Sequence, residues 1–378
     1  VLVALLACEA LLPGASAQRA ITRGTHVVLG FNDLGMHCMN QSFRELCILP
    51  PYNNLHAQVI QRGDEPRIIE RNVQVKYTIP GNTVSTTKTD FWQYARALFG
   101  VNLAPNIGLT GNGLSGRMQP TGQGDWAATG IPITPITDRG QENAYPLSTI
   151  TVSTLPTRSR AARALTTTQA VVPVSWEISC NLCHNTPGIS VETDILRDHD
   201  RLHGTQLEQQ KPVLCARCHS DPALGSAGVV GISSMSSAMH RAHASRVNTL
   251  PATMNSCYAC HPGNRTQCQR DVHFARGIQC SNCHGSMADV GNPSRRPWID
   301  EPTCGSCHAS RRPSFQFEEP GKLFKESRGH HGVKCASCHG SPHAITPTVT
   351  AADNVQAVRL QGFAGVIRDC KVCHTRTP

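Results

Sequence analysis

The chain has 378 residues and a formal net charge of +9, and its hydrophobic share of 39% and aromatic share of 5% are low for a globular protein. Its 18 Cys and 18 His exclude an ordinary globular domain, and they leave either a disulfide scaffold or a protein whose Cys and His side chains bind a cofactor or metal. The 31 Gly and 25 Pro indicate many turns and irregular loops.

The amino-terminal segment has the pattern of an export signal. Residues 1–12 are almost wholly apolar and are followed by Pro13-Gly14 and the small-residue stretch Ala15-Ser16-Ala17. We therefore expect residues 1–17 to be a signal peptide, which directs the protein to the periplasm, the outer surface or the exterior. The alternative, which we rank second, is a lipoprotein signal in which Cys8 carries a lipid anchor. No segment reaches the roughly 20 apolar residues of a transmembrane helix, so we expect none.

Residues 18–175 have the pattern of a β-rich, sandwich-like domain. This domain could act as a docking module. Apolar and β-branched runs that predict strands recur between turn signals such as Pro80-Gly81-Asn82. The predicted strands cover residues 25–31, 55–60, 72–79, 148–153 and 170–175. One helix is predicted over Phe91–Phe99, and the Gly-rich stretch 108–124 is predicted to be a long loop.

Two short clusters in this region, NDLGMHC at 32–38 and LPPYNNLH at 49–56, combine polar and metal-binding side chains. A metal site built from both would use Asp33, His37, Cys38 and His56. Alternatively, His37 could serve as a ligand of a cofactor bound elsewhere in the chain. The interpretation that we favour is a structured loop with a Cys38–Cys47 disulfide, which leaves Cys268 as a free thiol or an intermolecular partner.

The pattern C-x-x-C-H occurs seven times in residues 176–378 and uses fourteen of the cysteines. The motifs are Cys180–Cys183–His184, Cys215–Cys218–His219, Cys257–Cys260–His261, Cys280–Cys283–His284, Cys304–Cys307–His308, Cys335–Cys338–His339 and Cys370–Cys373–His374. Two thiols at this spacing add to the two vinyl groups of a haem, and the following His becomes the proximal iron ligand. The sequence therefore predicts seven covalently bound haem c groups.

Structural zinc and disulfide bonds are the alternatives for C-x-x-C pairs. Neither explains why a His follows the second Cys in all seven motifs, so we set both aside. Because the seven motifs crowd into one half of the chain, porphyrins would form most of its core. We expect residues 176–378 to be a heptahaem cytochrome c domain made of loops and short helical turns.

The distal iron ligands must come from the other eleven histidines, of which eight lie among the motifs. The candidates are His199, His203, His240, His243, His273, His330 and His343. His199 and His203 are four residues apart and His240 and His243 three, so each pair would share a helix face. The adjacent residues His330 and His331 point in different directions, so we expect only one of them to be a ligand. We favour His330, which leaves His331 as the eighth histidine without an iron to bind. This count predicts bis-histidine ligation of all seven irons.

The positive charge does not indicate a nucleic-acid partner. Each haem brings two propionates, which offset much of the formal +9, and Arg side chains are suitable partners for them. We therefore expect no nucleic acid among the partners.

These motifs resemble the multihaem c-type cytochromes of bacterial extracellular and periplasmic respiration. The NDLGMHC and LPPYN segments resemble the amino-terminal domain of one group of them, and residues 320–344, with PGKL, SRGHHG and CHGSPHA, resemble its haem half. The resemblance implies that His330 and His343 are distal ligands and that haem is attached on the export side. The class includes carriers, reductases and filament subunits.

We expect the chain to carry electrons between other redox proteins or to an extracellular acceptor, rather than to be an enzyme. One alternative is a multihaem reductase of a nitrogen or sulfur oxyanion, which needs one haem with an open axial position. A second is a homo-oligomer or conductive filament, in which His26, His37 or His56 could bind a haem of a neighbouring copy.

Overall fold

The structure is a computed structural model that describes residues 24–247 and 256–376. The predicted signal peptide, residues 1–17, and Cys8 lie outside the described residues. Within the two described ranges, no helix is long and apolar enough to cross a membrane.

Most strands of the described residues lie before residue 176. They are β1 (His26–Phe31), β2 (His37–Cys38), β3 (Leu46–Cys47), β4 (Leu55–Gln61), β5 (Arg67–Ile68), β6 (Val73–Thr78), β7 (Ser115–Pro120), β8 (Trp126–Ala128), β9 (Leu147–Thr154), β10 (Ala164–Val171), β11 (Val174–Ser175) and β12 (Val213–Leu214). The strands predicted over residues 25–31, 55–60, 72–79 and 148–153 are confirmed as β1, β4, β6 and β9. The fifth prediction, 170–175, is divided between the end of β10 and β11, because Pro173 cannot donate a ladder hydrogen bond.

Eight strands form one antiparallel sheet in the order β1-β4-β8-β7-β6-β9-β10, with β5 added beside β4. The sheet is nearly closed, since β1 and β10 at its two ends approach each other at Gly30. A Cβ atom added to Gly30 would lie 2.9 Å from Ala170 Cβ and 2.6 Å from Ile150 Cδ1, so only glycine fits there. The β-rich prediction is confirmed. The strands curl into a single sheet, where the sandwich-like prediction had expected two stacked sheets.

The main hydrophobic core lies inside this sheet. Strand β9 alternates buried and partly exposed residues, as expected when one face of a strand contacts the core. Helix α1 (Phe91–Phe99), which matches the predicted helix, packs Phe91, Ala95 and Leu98 into the same core. It ends at Gly100, whose φ of 72° is a left-handed conformation that glycine adopts easily.

The predicted long loop over residues 108–124 is wrong in part, because it contains β7 (Ser115–Pro120). Only Met118 of this strand is buried. A strand with a single apolar inward residue and Gly116 and Pro120 within it lacks the alternation that marks strands in a sequence.

The second half of the chain has short helices and little apolar core. The helices are α2 (Val191–His203), α3 (Met235–His243), α4 (Cys280–His284), α5 (Met287–Val290), α6 (Cys304–His308), α7 (Cys335–His339) and α8 (Ala351–Gln361). One of its small apolar clusters consists of Leu46, Leu196 and Val213, and Leu46 comes from the β-rich half. The expected helix-poor, cysteine-rich architecture with short helices is confirmed.

Polar contacts join the two halves, and those of Gln58 are buried. Gln58 of β4 accepts hydrogen bonds from the Lys334 backbone N–H at 2.7 Å and the Ser337 hydroxyl at 2.8 Å. The Arg62 side chain donates to the carbonyl oxygens of Val372 and Lys371 at 3.0 and 2.9 Å. The last two C-x-x-C-H motifs are thus anchored on β4 and on Arg62, the residue that follows it.

Candidate cofactor-binding site

Every C-x-x-C-H motif forms one helical turn. Helices α4, α6 and α7 each span a motif from the first Cys to the His. In the other four motifs the His N–H donates to the carbonyl of the first Cys, at 2.9 Å for His184, 3.1 Å for His219, 2.8 Å for His261 and 2.8 Å for His374. This turn brings the two sulfur atoms and the imidazole of each motif to one place, as the predicted helical turns required.

Six motif histidines lie opposite the ring of a second histidine. The pairs, with their centroid distances, are His184–His243 (6.4 Å), His219–His199 (6.4 Å), His261–His240 (6.0 Å), His284–His343 (6.0 Å), His308–His273 (6.2 Å) and His374–His330 (6.1 Å). Metal–imidazole bonds are about 2.0–2.1 Å, and with a ring centre roughly 1.1 Å beyond the nitrogen, two imidazoles on opposite sides of one metal have centroids about 6.3 Å apart. All six pairs have this spacing.

Helix α3 places two of the second histidines. Its His240 and His243 are three residues apart and share one face, as predicted, and they lie beside different motifs. The Nδ1 atoms of these rings lie 2.7 Å from the carbonyl oxygens of Ser236 and Met239, respectively. Because a carbonyl can only accept, Nδ1 must carry the proton, and Nε2 is left with its lone pair for a metal.

Several other members of the pairs have their Nδ1 atoms held in the same way. The Nδ1–H of His219 donates to the Ser233 carbonyl at 2.8 Å, and that of His374 donates to the Asp64 carbonyl at 3.0 Å. His273 Nδ1 lies 2.9 Å from a carboxylate oxygen of Asp271. Hydrogen bonds of this kind fix the ring orientation and the tautomer that ligates metals through Nε2.

Burial favours the neutral form of several of these imidazoles. Burial lowers the pKa of His261 and His343 to about 4, with a further decrease from neighbouring histidines. Burial also lowers the pKa of His240 and His284. Hydrogen bonding to Asp271 has the opposite effect and raises the pKa of His273. Neutral imidazole is the form that binds a metal, so the buried environment suits ligation.

Neighbouring motifs lie close enough to affect one another's thiols. Beyond the larger effect of burial, thiols of adjacent motifs raise the pKa of their neighbours: Cys260 acts on Cys180, Cys307 on Cys283, Cys335 on Cys304 and Cys373 on Cys338. A hydrogen bond with Cys257 is the largest cause that raises the pKa of Cys280. These interactions place the first, third, fourth, fifth, sixth and seventh motifs near one another in that order.

The second motif is connected through α2. This helix follows the first motif and carries His199, which lies opposite His219 of the second motif. Its amino terminus is capped by the Ser190 hydroxyl, which accepts from the Thr193 N–H at 3.1 Å. The helix ends at Gly204 in a left-handed conformation, one residue after His203.

Two predicted ligands stand apart from the six pairs. His203 is exposed, and its ring lies 4.8 Å from that of His199 rather than beside a motif histidine. His339, the predicted proximal ligand of the sixth motif, has no second imidazole in ring contact among the described residues. His331 lies 5.3 Å from His330, and of these two neighbours it is His330 that lies opposite His374.

The metal site considered for Asp33, His37, Cys38 and His56 does not form. Across residues 24–247 and 256–376, no group of three or more His, Cys, Asp or Glu side chains is arranged to hold a metal ion. His37 is buried, and its Nε2 lies 2.8 Å from the Pro50 carbonyl. His56 instead lies between two carboxylates, with Nδ1 2.8 Å from Asp125 and Nε2 3.4 Å from Asp33.

The favoured Cys38–Cys47 disulfide is wrong, since both residues are free thiols. Cys38 belongs to β2, which pairs with β11, whereas Cys47 belongs to β3, which pairs with β12. The two cysteines are therefore held in different small sheets. Cys268 is also a free thiol, and its sulfur lies 3.9 Å from Nδ1 of His343.

Sequence reasoning missed an ion pair that supports His343. The buried guanidinium of Arg270 donates two hydrogen bonds to Asp353, at 2.7 and 2.9 Å. The backbone N–H of Arg270 donates to the His343 carbonyl at 2.9 Å, so the pair holds the segment that carries this histidine. No local pattern could reveal partners that lie 83 positions apart in the chain.

The donor set fits haem c. Each motif supplies two thiols and an imidazole on one turn, and in six cases a second imidazole lies at the distance expected across a metal. Arg328 also indicates a bound anionic group, because its buried Nε atom has no hydrogen-bond partner among the described residues. A haem propionate is the kind of acceptor that a buried guanidinium N–H requires.

Comparison with known proteins agrees with this chemistry. Residues 290–340 match the family "Cytochrome c554 and c-prime", and this stretch contains the fifth and sixth motifs. The match supports a c-type cytochrome with covalently bound haem, which transfers electrons. A comparison with curated proteins found no match.

Among solved structures, the crystal structure of MtrC from Shewanella baltica OS185 matches with 14% sequence identity and a TM-score of 0.18. The match covers 83% of this chain and 43% of that chain, so the chain spans less than half the length of MtrC. A TM-score this low carries no argument about fold or function.

Proposed function

We propose that this chain is an exported electron-transfer protein that binds seven covalently attached c-type haems in residues 176–378. The observation that carries the proposal is the set of six histidine pairs with ring centroids 6.0–6.4 Å apart, each containing one motif histidine. Six separate imidazole pairs at this distance match the spacing expected of two ligands on opposite sides of an iron.

The roles of the residues follow from their positions. The fourteen motif cysteines attach the cofactors, and the seven motif histidines are the proximal ligands. The distal ligands in the six pairs are His199, His240, His243, His273, His330 and His343. His203 is left out of this set because its ring lies beside His199. Haem iron supplies reversible one-electron oxidation and reduction when bound, and the protein supplies position and environment.

The order of the motifs supports a continuous path for electrons. Electrostatic interactions between thiols place six motifs in series, and α2 connects the second motif to the first. The second histidines interlock these neighbours further. His343 follows the sixth motif and lies opposite His284 of the fourth, while His330 precedes the sixth motif and lies opposite His374 of the seventh. Closely spaced redox centres of this kind suit transfer between partner redox proteins or to an extracellular acceptor.

The β-rich half, residues 18–175, acts in this proposal as a support and docking domain. Gln58 of β4 and Arg62, the residue after this strand, anchor the last two motifs. In this proposal the buried contacts of Gln58 hold the cofactor-binding half in one orientation.

Reductive titration of the purified holoprotein tests the proposal. With a low-potential reductant under anaerobic conditions, we expect seven electrons to be taken up per chain. An oxidised soluble c-type cytochrome, mixed in by stopped flow, should then recover all seven. A matched variant, Cys370→Ala with Cys373→Ala, should take up and return six. Fewer than seven electrons in the wild type, or haems that the partner cannot reoxidise, would refute the proposed relay.

A further inference from the structure

The sixth motif differs from the other six in its surroundings. Each of the other motif histidines has a second imidazole at 6.0–6.4 Å, whereas His339 has none in ring contact among the described residues. We infer that the haem attached at Cys335 and Cys338 has an open axial position that binds a small exogenous molecule. This inference rests on the proposed function, since it presupposes haem at this motif.

Two of the histidines outside the pairs are already engaged in the β-rich half. His37 is buried, and its Nε2 is committed to the Pro50 carbonyl. Both ring nitrogens of His56 face carboxylates, and its ring stacks on Phe31 with centroids 5.3 Å apart. Either ring would have to give up these contacts to reach an iron, and losing polar contacts inside the fold is costly.

The remaining three histidines lie at other places in the fold. His26 starts β1, and its Nδ1 lies 2.9 Å from the Thr25 hydroxyl. His203 ends α2 beside His199, which belongs to the site of the second motif. His331 contacts His330, which belongs to the site of the seventh motif. The described part of the chain therefore offers no distal histidine for the sixth motif.

The chain also leaves a small cavity between this motif and the surrounding elements β1, β10 and α8. The cavity has a volume of about 40 Å³, and Cys338, Gly340, Ser341 and Thr346 line it on the motif side. Thr346 is 7% exposed, and its hydroxyl has no hydrogen-bond partner among the described residues. A cavity of this size holds a water molecule or a ligand of two or three heavy atoms, and the unpaired hydroxyl offers such a molecule a polar contact.

The chemical class of the ligand follows from these features. An iron with one vacant position takes a small molecule or anion with a lone pair. Carbon monoxide for the ferrous protein and cyanide for the ferric protein are suitable probes. Bis-histidine irons hold their two imidazoles and react poorly with either, so the probes report the open position.

The test is a spectroscopic titration of the full holoprotein at a concentration where it is monomeric. Low-temperature electron paramagnetic resonance of the ferric protein should show one high-spin iron in seven, and the ferrous protein should bind one carbon monoxide per chain. The variant Cys335→Ala with Cys338→Ala should keep six haems and lose both signals. The matched variant Cys370→Ala with Cys373→Ala should also keep six haems but retain both signals.

Other outcomes overturn the inference. If all seven irons are low-spin in the monomer and bind no carbon monoxide, a side chain of the same chain fills the position. Single variants His26→Ala, His203→Ala and His331→Ala would then show which histidine it is. If the high-spin signal disappears on association, a second copy supplies the ligand and the position is not for a small molecule. Haem quantitation separates these failures from failure of the proposed function, since seven haems per chain would remain.

Discussion

The side chain of Gln356 bonds both backbone groups of Gly30. Its Oε1 accepts from the Gly30 N–H at 2.6 Å, and its Nε2 donates to the Gly30 carbonyl at 3.0 Å. The same Oε1 accepts from the Thr168 hydroxyl at 2.9 Å. Gly30 lies in β1 and Thr168 in β10, the two ends of the nearly closed sheet, so one glutamine of α8 bridges the gap between them.

Replacing this glutamine should destabilise the junction between the halves. We expect Gln356→Ala to lower the free energy of unfolding by about 1–3 kcal/mol, because it leaves buried backbone groups of Gly30 without partners. Gln356→Glu should have an intermediate effect, since a carboxylate can accept but cannot donate. Thermal unfolding followed by circular dichroism measures both. The control is Gln93→Ala on the exposed side of α1, and an equal loss in that variant would contradict the role of Gln356.

The ion pair of Arg270 and Asp353 should be required for the site at His343. Arg270 is 0% exposed, so Asp353→Asn would leave a buried charge without its partner and cost about 3–5 kcal/mol. Because the Arg270 N–H holds the His343 carbonyl, the haem at His284 should also gain high-spin character. Denaturant unfolding and electron paramagnetic resonance measure the two effects. Asp300→Asn, in an exposed pair with Arg296, should change neither, and a normal spectrum in Asp353→Asn would refute the link.

Two histidines on α2 provide a matched comparison for the pairing. His199→Ala should convert the iron at His219 from low to high spin, because it removes the ring 6.4 Å away. His203→Ala, one turn later on the same helix, should leave the number of high-spin irons unchanged. Electron paramagnetic resonance of the ferric proteins makes the comparison. The assignment fails if the second substitution has the effect expected of the first.

The cluster around His56 should make stability depend on pH. Burial lowers the pKa of His56, but hydrogen bonds with Asp125 and Asp33 raise it and have the larger combined effect. The result is a pKa of about 9, compared with the usual value of 6.5. A folded-state pKa above the unfolded value means that this stabilisation is complete below pH 6.5 and is lost as the pH rises through about 9. Lys334, 3.2 Å from Asp125, and Lys325, which interacts with Asp33, are the other charges facing the cluster.

His56→Gln should therefore destabilise the protein near pH 6 by on the order of 1–3 kcal/mol and by much less near pH 10. Urea unfolding at the two pH values, for the wild type and the variant, measures the difference. A penalty that is the same at both values would show that His56 is neutral in the folded protein.

The sequence predicted local features well and long-range ones poorly. The strands at β1, β4, β6 and β9 and helix α1 follow from periodicity, and the helical turn of each motif follows from its spacing. Strand β7 escaped prediction because Met118 is its one buried residue. The disulfide between Cys38 and Cys47 was wrong because strand pairing, which spacing does not encode, separates them.

In the candidate site, too, the local features were predictable from the sequence and the long-range ones were not. Composition gave enough histidines for seven distal ligands, but only the fold shows which of them lie opposite a motif. His203 and His199 are equivalent in sequence, four residues apart on one helix, and yet one lies beside a motif histidine and the other does not. The distinct position of His339 likewise depends on which rings the folded chain brings together.

Intact-mass measurement of the denatured, exported protein tests the central claim most directly, because denaturation releases every cofactor that is not covalently bound. We predict a mass that exceeds that of the processed polypeptide by seven haem groups, and digestion should locate one on each C-x-x-C-H peptide. A mass equal to the polypeptide alone, or peptides with unmodified motif cysteines, would contradict the account of this protein as a seven-haem cytochrome.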